Sequence, residues 1–146
     1  ILLSARTIYR NIDWKNEDNL WIATGKTSPS SPNTHNNLGD VYGRWGDKQR
    51  SLQEFQTAIA LKPNYADAYH NGGNVYREMG QFDKAMEYYQ KSLSIEEEIG
   101  DKIGIAILLN NIAVIYNDQG QTKDALVYHK RSLSDIFLSS LARKRF

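Results

Sequence analysis

The chain has 146 residues, 40% of them hydrophobic and 24% charged, with three prolines and no cysteine. That is enough for one ordinary domain or a short repeat array, needing neither disulfide nor metal staple, and it excludes thiol nucleophiles, zinc knuckles and iron–sulfur ligation. A formal charge of +1 gives no global electrostatic reason to expect nucleic acid, and no run reaches the roughly 20 apolar residues of a membrane span.

The chain begins at Ile1 rather than at methionine, which suggests a piece of a longer protein. Residues 1–31 read as a degenerate helical pair lacking its first few residues. Ile8, Trp21 and Pro29 each stand 34 residues before Tyr42, Phe55 and Pro63, although Ile12 replaces the turn glycine and Glu17 the small contact residue. Trp14 and Trp21 are seven apart, close to two helical turns, and so share a face that would cap the apolar end.

Residues 32–65 form the first clear unit. Asn36-Asn37-Leu38-Gly39 leads to Tyr42 and a turn at Gly46, after which Ser51, Leu52, Phe55, Ala58 and Ile59 mark one face of a second helix. Residues 66–105 repeat the pattern at an offset of 34, from His70-Asn71-Gly72-Gly73 through Tyr76 and Gly80 to Ala85, Met86, Tyr89, Ser92 and Leu93. Residues 106–146 repeat it 40 residues further on, from Asn110-Asn111-Ile112-Ala113 through Tyr116 and Gly120 to Ala125, Leu126, His129, Ser132 and Leu133. There the apolar face continues through Ile136, Phe137, Ser140 and Leu141 to a basic end at Arg143-Lys144-Arg145-Phe146. The six extra residues of the third unit sit around Glu96 to Lys102, where Gly100 suits a helix C-cap and Asp101 the next N-cap. Glu96-Glu97-Glu98 reads as a solvated face, because consecutive helical residues point in different directions.

Each unit is thus helix, tight turn, helix. Small residues at Gly39, Gly73 and Ala113, and at Ser51, Ala85 and Ala125, would let the paired helices approach closely. This succession resembles the tetratricopeptide repeat: Leu-Gly, a tyrosine, a turn glycine, an alanine, an aromatic, a small residue and a closing proline, supplied by Pro63. The resemblance implies an all-α fold, an α-α superhelix whose first helices line a concave surface that binds protein or extended peptide segments. The segment from Arg6 to Trp21, with Thr27-Ser28-Pro29-Ser30-Ser31-Pro32 after it, also resembles the junction in transmembrane tetratricopeptide proteins, where a mannosyltransferase-like membrane region passes into a soluble repeat domain. That likeness implies the extramembrane part of a larger membrane-anchored protein. The 40-residue unit is similar as well to those of bacterial signalling scaffolds.

In the repeat register Asn37, Asn71 and Asn111 would form a row, with Asp40 and Asn74 one turn on and Val114 breaking that second row. Asn36, His70 and Asn110 flank the first row, and Arg44, Arg77 and Asn117 complete the candidate groove toward the helix ends. A carboxamide offers both donor and acceptor, which suits an extended peptide backbone whatever its side chains. The row resembles the asparagine ladder of O-linked N-acetylglucosamine transferases, while asparagines at this place in tetratricopeptide repeats also bond to the neighbouring repeat. The carboxylate clamp of chaperone cochaperones matches poorly, since its cations are replaced by Asn36, Asp40, Ile107 and Asn111.

Catalysis finds no constellation. His35, His70 and His129 lie on different helices with no i, i+4 pair, and His35 and His129 stand where aromatics pack. Gly39, Gly43 and Gly46 are followed by no Gly-Lys-Ser/Thr and read as packing and turn glycines. The expectation is a non-catalytic scaffold with no cofactor and no metal, whose partner is a protein or peptide. Its apolar terminal helix implies folding back as a cap, a further repeat that this chain lacks, or pairing with another molecule, the last a route to self-association.

Overall fold

The computed structural model describes residues 17–143, and all of their regular structure is helical. The chain divides into two compact units, 1–63 and 64–146. The first holds α1 (residues 17–27), α2 (Pro32–Arg44) and α3 (Lys48–Leu61). The second holds α4 (Ala66–Glu78), α5 (Phe82–Ile99), α6 (Lys102–Asp118) and α7 (Thr122–Arg143). Trp14, the segment from Arg6 to Asn16 and the basic residues Lys144 and Arg145 lie outside the described residues.

The turns between paired helices are built three times from the same bonds. Gly46, Gly80 and Gly120 take φ of 82°, 71° and 75°, a left-handed conformation that costs glycine little. Each glycine N–H bonds three residues back, to Gly43, Arg77 and Asn117, at 3.0, 2.9 and 2.9 Å. The following N–H reaches the repeat tyrosine carbonyl, Asp47 to Tyr42, Gln81 to Tyr76 and Gln121 to Tyr116, at 2.9, 2.9 and 2.8 Å. This doubly bonded stop satisfies carbonyls that a helix end would otherwise leave open.

Helix starts are set locally too. Ser31 accepts from the N–H of Thr34 with Pro32 in the first turn of α2, and Asp47 accepts from Arg50 at the start of α3. At the longer junction Gly100 closes α5 at φ 79°, and Asp101 accepts from the N–H of Ile103 to open α6. The six additional residues therefore lengthen the helices on either side of Gly100. The break falls at Gly100–Asp101, and residue 106, where the repeat register places the start of the last unit, lies inside α6.

Packing within a pair depends on the small residues. A Cβ on Gly39 would stand 2.6 Å from the Phe55 ring, and one on Gly73 would stand 2.7 Å from the Tyr89 ring, so glycine is what allows those aromatics against the helix backbone. Ser51, Ala85 and Ala125 are buried between the paired helices. Ser51 Oγ donates to the Gly39 carbonyl at 2.7 Å, and Ser92 and Ser132 donate to Ala66 and Ala106 at 2.9 and 2.8 Å. The core of the second unit gathers Tyr89, Leu108, Leu109, Ile112 and Ile115, each less than 3% exposed.

Candidate functional site

In the first unit the expected groove residues divide. Asn36 is buried, about one turn from Gly39, and is not open to a ligand; Asn37 and Asp40 are half-buried. Arg44 pairs with Asp18 of α1, whose second oxygen accepts from the Trp45 indole at 2.9 Å. Asp18 is 4% exposed, so this carboxylate is satisfied by a cation and an indole donor together. No repeat position announces Asp18, and a buried acid in a degenerate unit carries no periodic signal.

His35 holds two acceptors. Nδ1 donates to Glu54 at 2.6 Å and Nε2 donates to the Pro29 carbonyl at 2.8 Å, an arrangement that uses both ring N–H groups and therefore the imidazolium. Burial opposes the charge, but the Glu54 hydrogen bond, the Pro29 carbonyl and the Glu54 charge outweigh it and raise the pKa above 6.5. The equivalent pair 34 residues on is Tyr69 with Tyr88, edge to face at 5.6 Å. The histidine that stands in an aromatic place thus brings its own compensating carboxylate.

In the second unit a polar chain links three helices. Tyr89 Oη of α5 donates to Asn74 Oδ1 of α4 at 2.6 Å, and Asn74 Nδ2 lies 3.4 Å from His70 Nε2. Asn111 Nδ2 of α6 donates to the same His70 nitrogen at 2.8 Å. Two amide donors aimed at Nε2 require the neutral ring. Burial, partly countered by Asp67 and aided by Arg77, lowers the His70 pKa below 6.5. Burial also pushes the Tyr89 phenol up to about 12, which keeps its proton on the bond to Asn74.

The row asparagine Asn111 therefore bonds to the neighbouring repeat, while Asn71, Asn74 and Arg77 are half-buried and Asn110 and Asn117 exposed. His70 stands between α4 and α6 as their polar tie. Beside it lies a pocket of about 170 Å³ walled by Asp67, Ser92 and Glu96 on one side and Ile103, Gly104 and Leu108 of α6 on the other. Glu96 is half-buried there, and burial with the nearby Asp101 and Asp67 charges raises its pKa. Glu96 is thus not part of a solvated face, whereas Glu97 meets Arg131 at 2.5 Å on the surface.

The two histidines should titrate on opposite sides of 6.5. The His35 contribution to stability is complete below its unfolded pKa and is lost as pH rises through its raised folded value; the His70 contribution is present above the unfolded value and is lost as pH falls through its lowered one. Imidazole proton shifts followed by NMR from pH 4 to 9 should show the two midpoints separated in that order. A reversed order would contradict both hydrogen-bond assignments.

Two tetratricopeptide repeat models match the chain, one over residues 32–65 and the other over residues 64–134. The chain is similar to Protein O-mannosyl-transferase Tmtc2 of Drosophila melanogaster, 37% identical over 65 residues, which is 44% of this chain and only 7% of that protein's length. Among solved structures it is similar to the MamA protein at 30% identity and a TM-score of 0.72, covering 87% of this chain and 67% of that one. A second MamA structure, 32% identical with a TM-score of 0.69, is matched over 76% of this chain and 61% of its own length. The N-terminal domain of stress-induced protein-1 from C. elegans shares the fold at a TM-score of 0.68 and 23% identity, over 77% of this chain and 90% of that one. With matches running from residue 32 to residue 134 and the glycine turns recurring in one register, the chain belongs to the tetratricopeptide repeat family.

Proposed function

We propose that this chain is a non-catalytic scaffold that binds protein or peptide segments on the amide-bearing faces of its first helices, as the extramembrane part of a larger membrane-anchored protein. The observation that carries the binding reading is the tie through His70, which fixes α4 to α6 by Asn111 and keeps the amide-bearing helices in register. A preset surface spares a ligand the cost of ordering it. His35 has both ring nitrogens and His70 its Nε2 committed to internal partners, which favours structural roles over chemistry for each. The membrane-anchored reading is supported by the likeness to an O-mannosyl-transferase, together with the Arg6 to Trp21 segment. No described helix is itself long and apolar enough to cross a membrane.

The test selects binders from a randomised peptide library displayed on phage, using the intact chain as bait. Asn37→Ala should weaken about twofold or more a selected peptide that docks on the first unit, and Asn71→Ala one that docks on the second, since each lost hydrogen bond is worth about 0.5–1.5 kcal/mol. Asn111 is left intact in both variants because it holds His70. Unchanged affinity with an unchanged helical circular dichroism spectrum would remove the amide faces as the binding surface.

A further inference from the structure

The pocket beside His70 reaches the amide-bearing face of α4, because its wall residue Asp67 lies four and seven residues before Asn71 and Asn74 and so shares their side of the helix. Three acids from three elements stand around it: Asp67 on α4, Glu96 on α5 and Asp101 at the start of α6. Gly104 keeps the space open, since a Cβ there would stand 2.9 Å from the Glu96 carboxyl carbon and 3.1 Å from an Asp101 oxygen. Elsewhere in the chain Asp18 and Glu54 turn inward with a cation of their own, Arg44 and His35. Glu96 is half-buried and makes no hydrogen bond or ion pair with any described residue. Burial and the charges of Asp101 and Asp67 all oppose its ionised form, and His70, held neutral by two amide donors, offers no compensating charge. Nothing in the repeat demands an acid here. The register places Lys62 and Ile136 where Glu96 stands, and Asn33 and Ile107 where Asp67 stands. A carboxylate kept at this one junction against its burial and two like charges is accounted for by a cation that arrives with a ligand.

We propose that this pocket seats a lysine side chain of the protein or peptide segment bound along the amide-bearing face of α4. The assignment rests on the peptide-binding reading above and adds the chemistry of its ligand. An ammonium carries three donors that point in different directions, which suits carboxylates arriving from three elements. The planar fork of arginine asks instead for two acceptors in one plane. The methylene stem of the lysine packs against Ile103 and Leu108 of α6, which form the apolar part of the wall. At about 170 Å³ the pocket is several times the share of a water molecule, about 30 Å³, and takes one long side chain rather than a helix. A metal ion is a poorer occupant, since among the described residues no group of three acidic or histidine side chains could hold one.

The probe is the peptide acetyl-Gly-Gly-Lys-Gly-Gly-amide, titrated into the intact isotope-labelled chain and followed by NMR, with norleucine or arginine in place of the lysine as controls. The lysine probe should bind at least about tenfold more tightly than the norleucine one, because only the lysine makes charge-assisted hydrogen bonds. The Glu96 carboxyl, held above its ordinary pKa in the free chain, should titrate at lower pH once the lysine probe is bound. Glu96→Gln should weaken the lysine probe about fivefold or more, and Asp67→Asn, at an exposed position, about threefold. Glu96→Gln keeps the size of the side chain and removes a charge that burial opposes, so its urea midpoint should not fall. A peptide selected from the library and weakened by Asn71→Ala should contain a lysine whose change to norleucine costs about tenfold on the parent chain and little on Glu96→Gln. Equal binding of the lysine and norleucine probes, tighter binding of the arginine probe, indifference to Glu96→Gln, or displacement by magnesium chloride beyond that by sodium chloride at equal ionic strength would each overturn the proposal. Asn37→Ala and Asn71→Ala test the amide faces and should leave the affinity of the lysine probe within about twofold, so failure of the amide reading is told apart from failure of the pocket.

Discussion

Tyr89→Ala is expected to destabilise the second unit by about 3–5 kcal/mol, read from the midpoint of urea denaturation followed by helical circular dichroism. The ring is fully buried and its side chain is the largest among the fully buried ones, so truncation removes its burial and opens a cavity that two packed helices cannot easily close. The loss also reaches beyond packing. Asn74 Oδ1 would be left without its phenol donor, and Asn74 sits within reach of His70. Tyr89→Phe separates the two effects: it keeps the ring and should cost about 1–3 kcal/mol, the penalty for an unsatisfied acceptor. A phenylalanine variant as stable as the parent would show that Asn74 finds another donor and that the Tyr89 bond carries no net stabilisation.

Gly73→Ala should destabilise by about 1–2 kcal/mol even though alanine is the better helix former. The propensity gain is worth up to about 1 kcal/mol, while overpacking a tight core costs about 1–3 kcal/mol, and here the new Cβ meets a buried ring at 2.7 Å rather than a pliable chain end. The chain itself contains the compensating solution. Gly39 faces Phe55 and Gly73 faces Tyr89, but at the third equivalent place Ala113 is accompanied by His129, a smaller ring. A double-mutant cycle of Gly73→Ala with Tyr89→His should therefore show a favourable coupling of about 1 kcal/mol. Additive effects in denaturation would mean that the glycine is held by something other than the ring opposite it.

Features that depend on a few neighbouring residues were legible without coordinates. The turn glycines, the Gly100 and Asp101 caps and the alternation of paired helices follow from left-handed backbone preference, capping chemistry and helical periodicity, all local properties of the chain. The resemblance to tetratricopeptide repeats rests on the same signals and is carried by them into the family match. The candidate site was legible only as a set of residue types. The repeat register placed Asn111 in a row and His70 at its flank, whereas the side chains bond to each other across two helices. The register places Asn36 on the same surface, whereas its side chain is buried.

What the sequence determined by itself is the helical repeat, because each signal for it is contained within one turn or one helix. Only the tertiary structure decided which polar groups are consumed internally: Asp18 by Arg44 and Trp45, His35 by Glu54, and His70 by Asn111. It also decided that Glu96 is half-buried against Gly104 of α6 while Glu97 beside it faces the surface. Those outcomes depend on the side chains that packing brings face to face across helices, and no period along a single chain encodes that meeting.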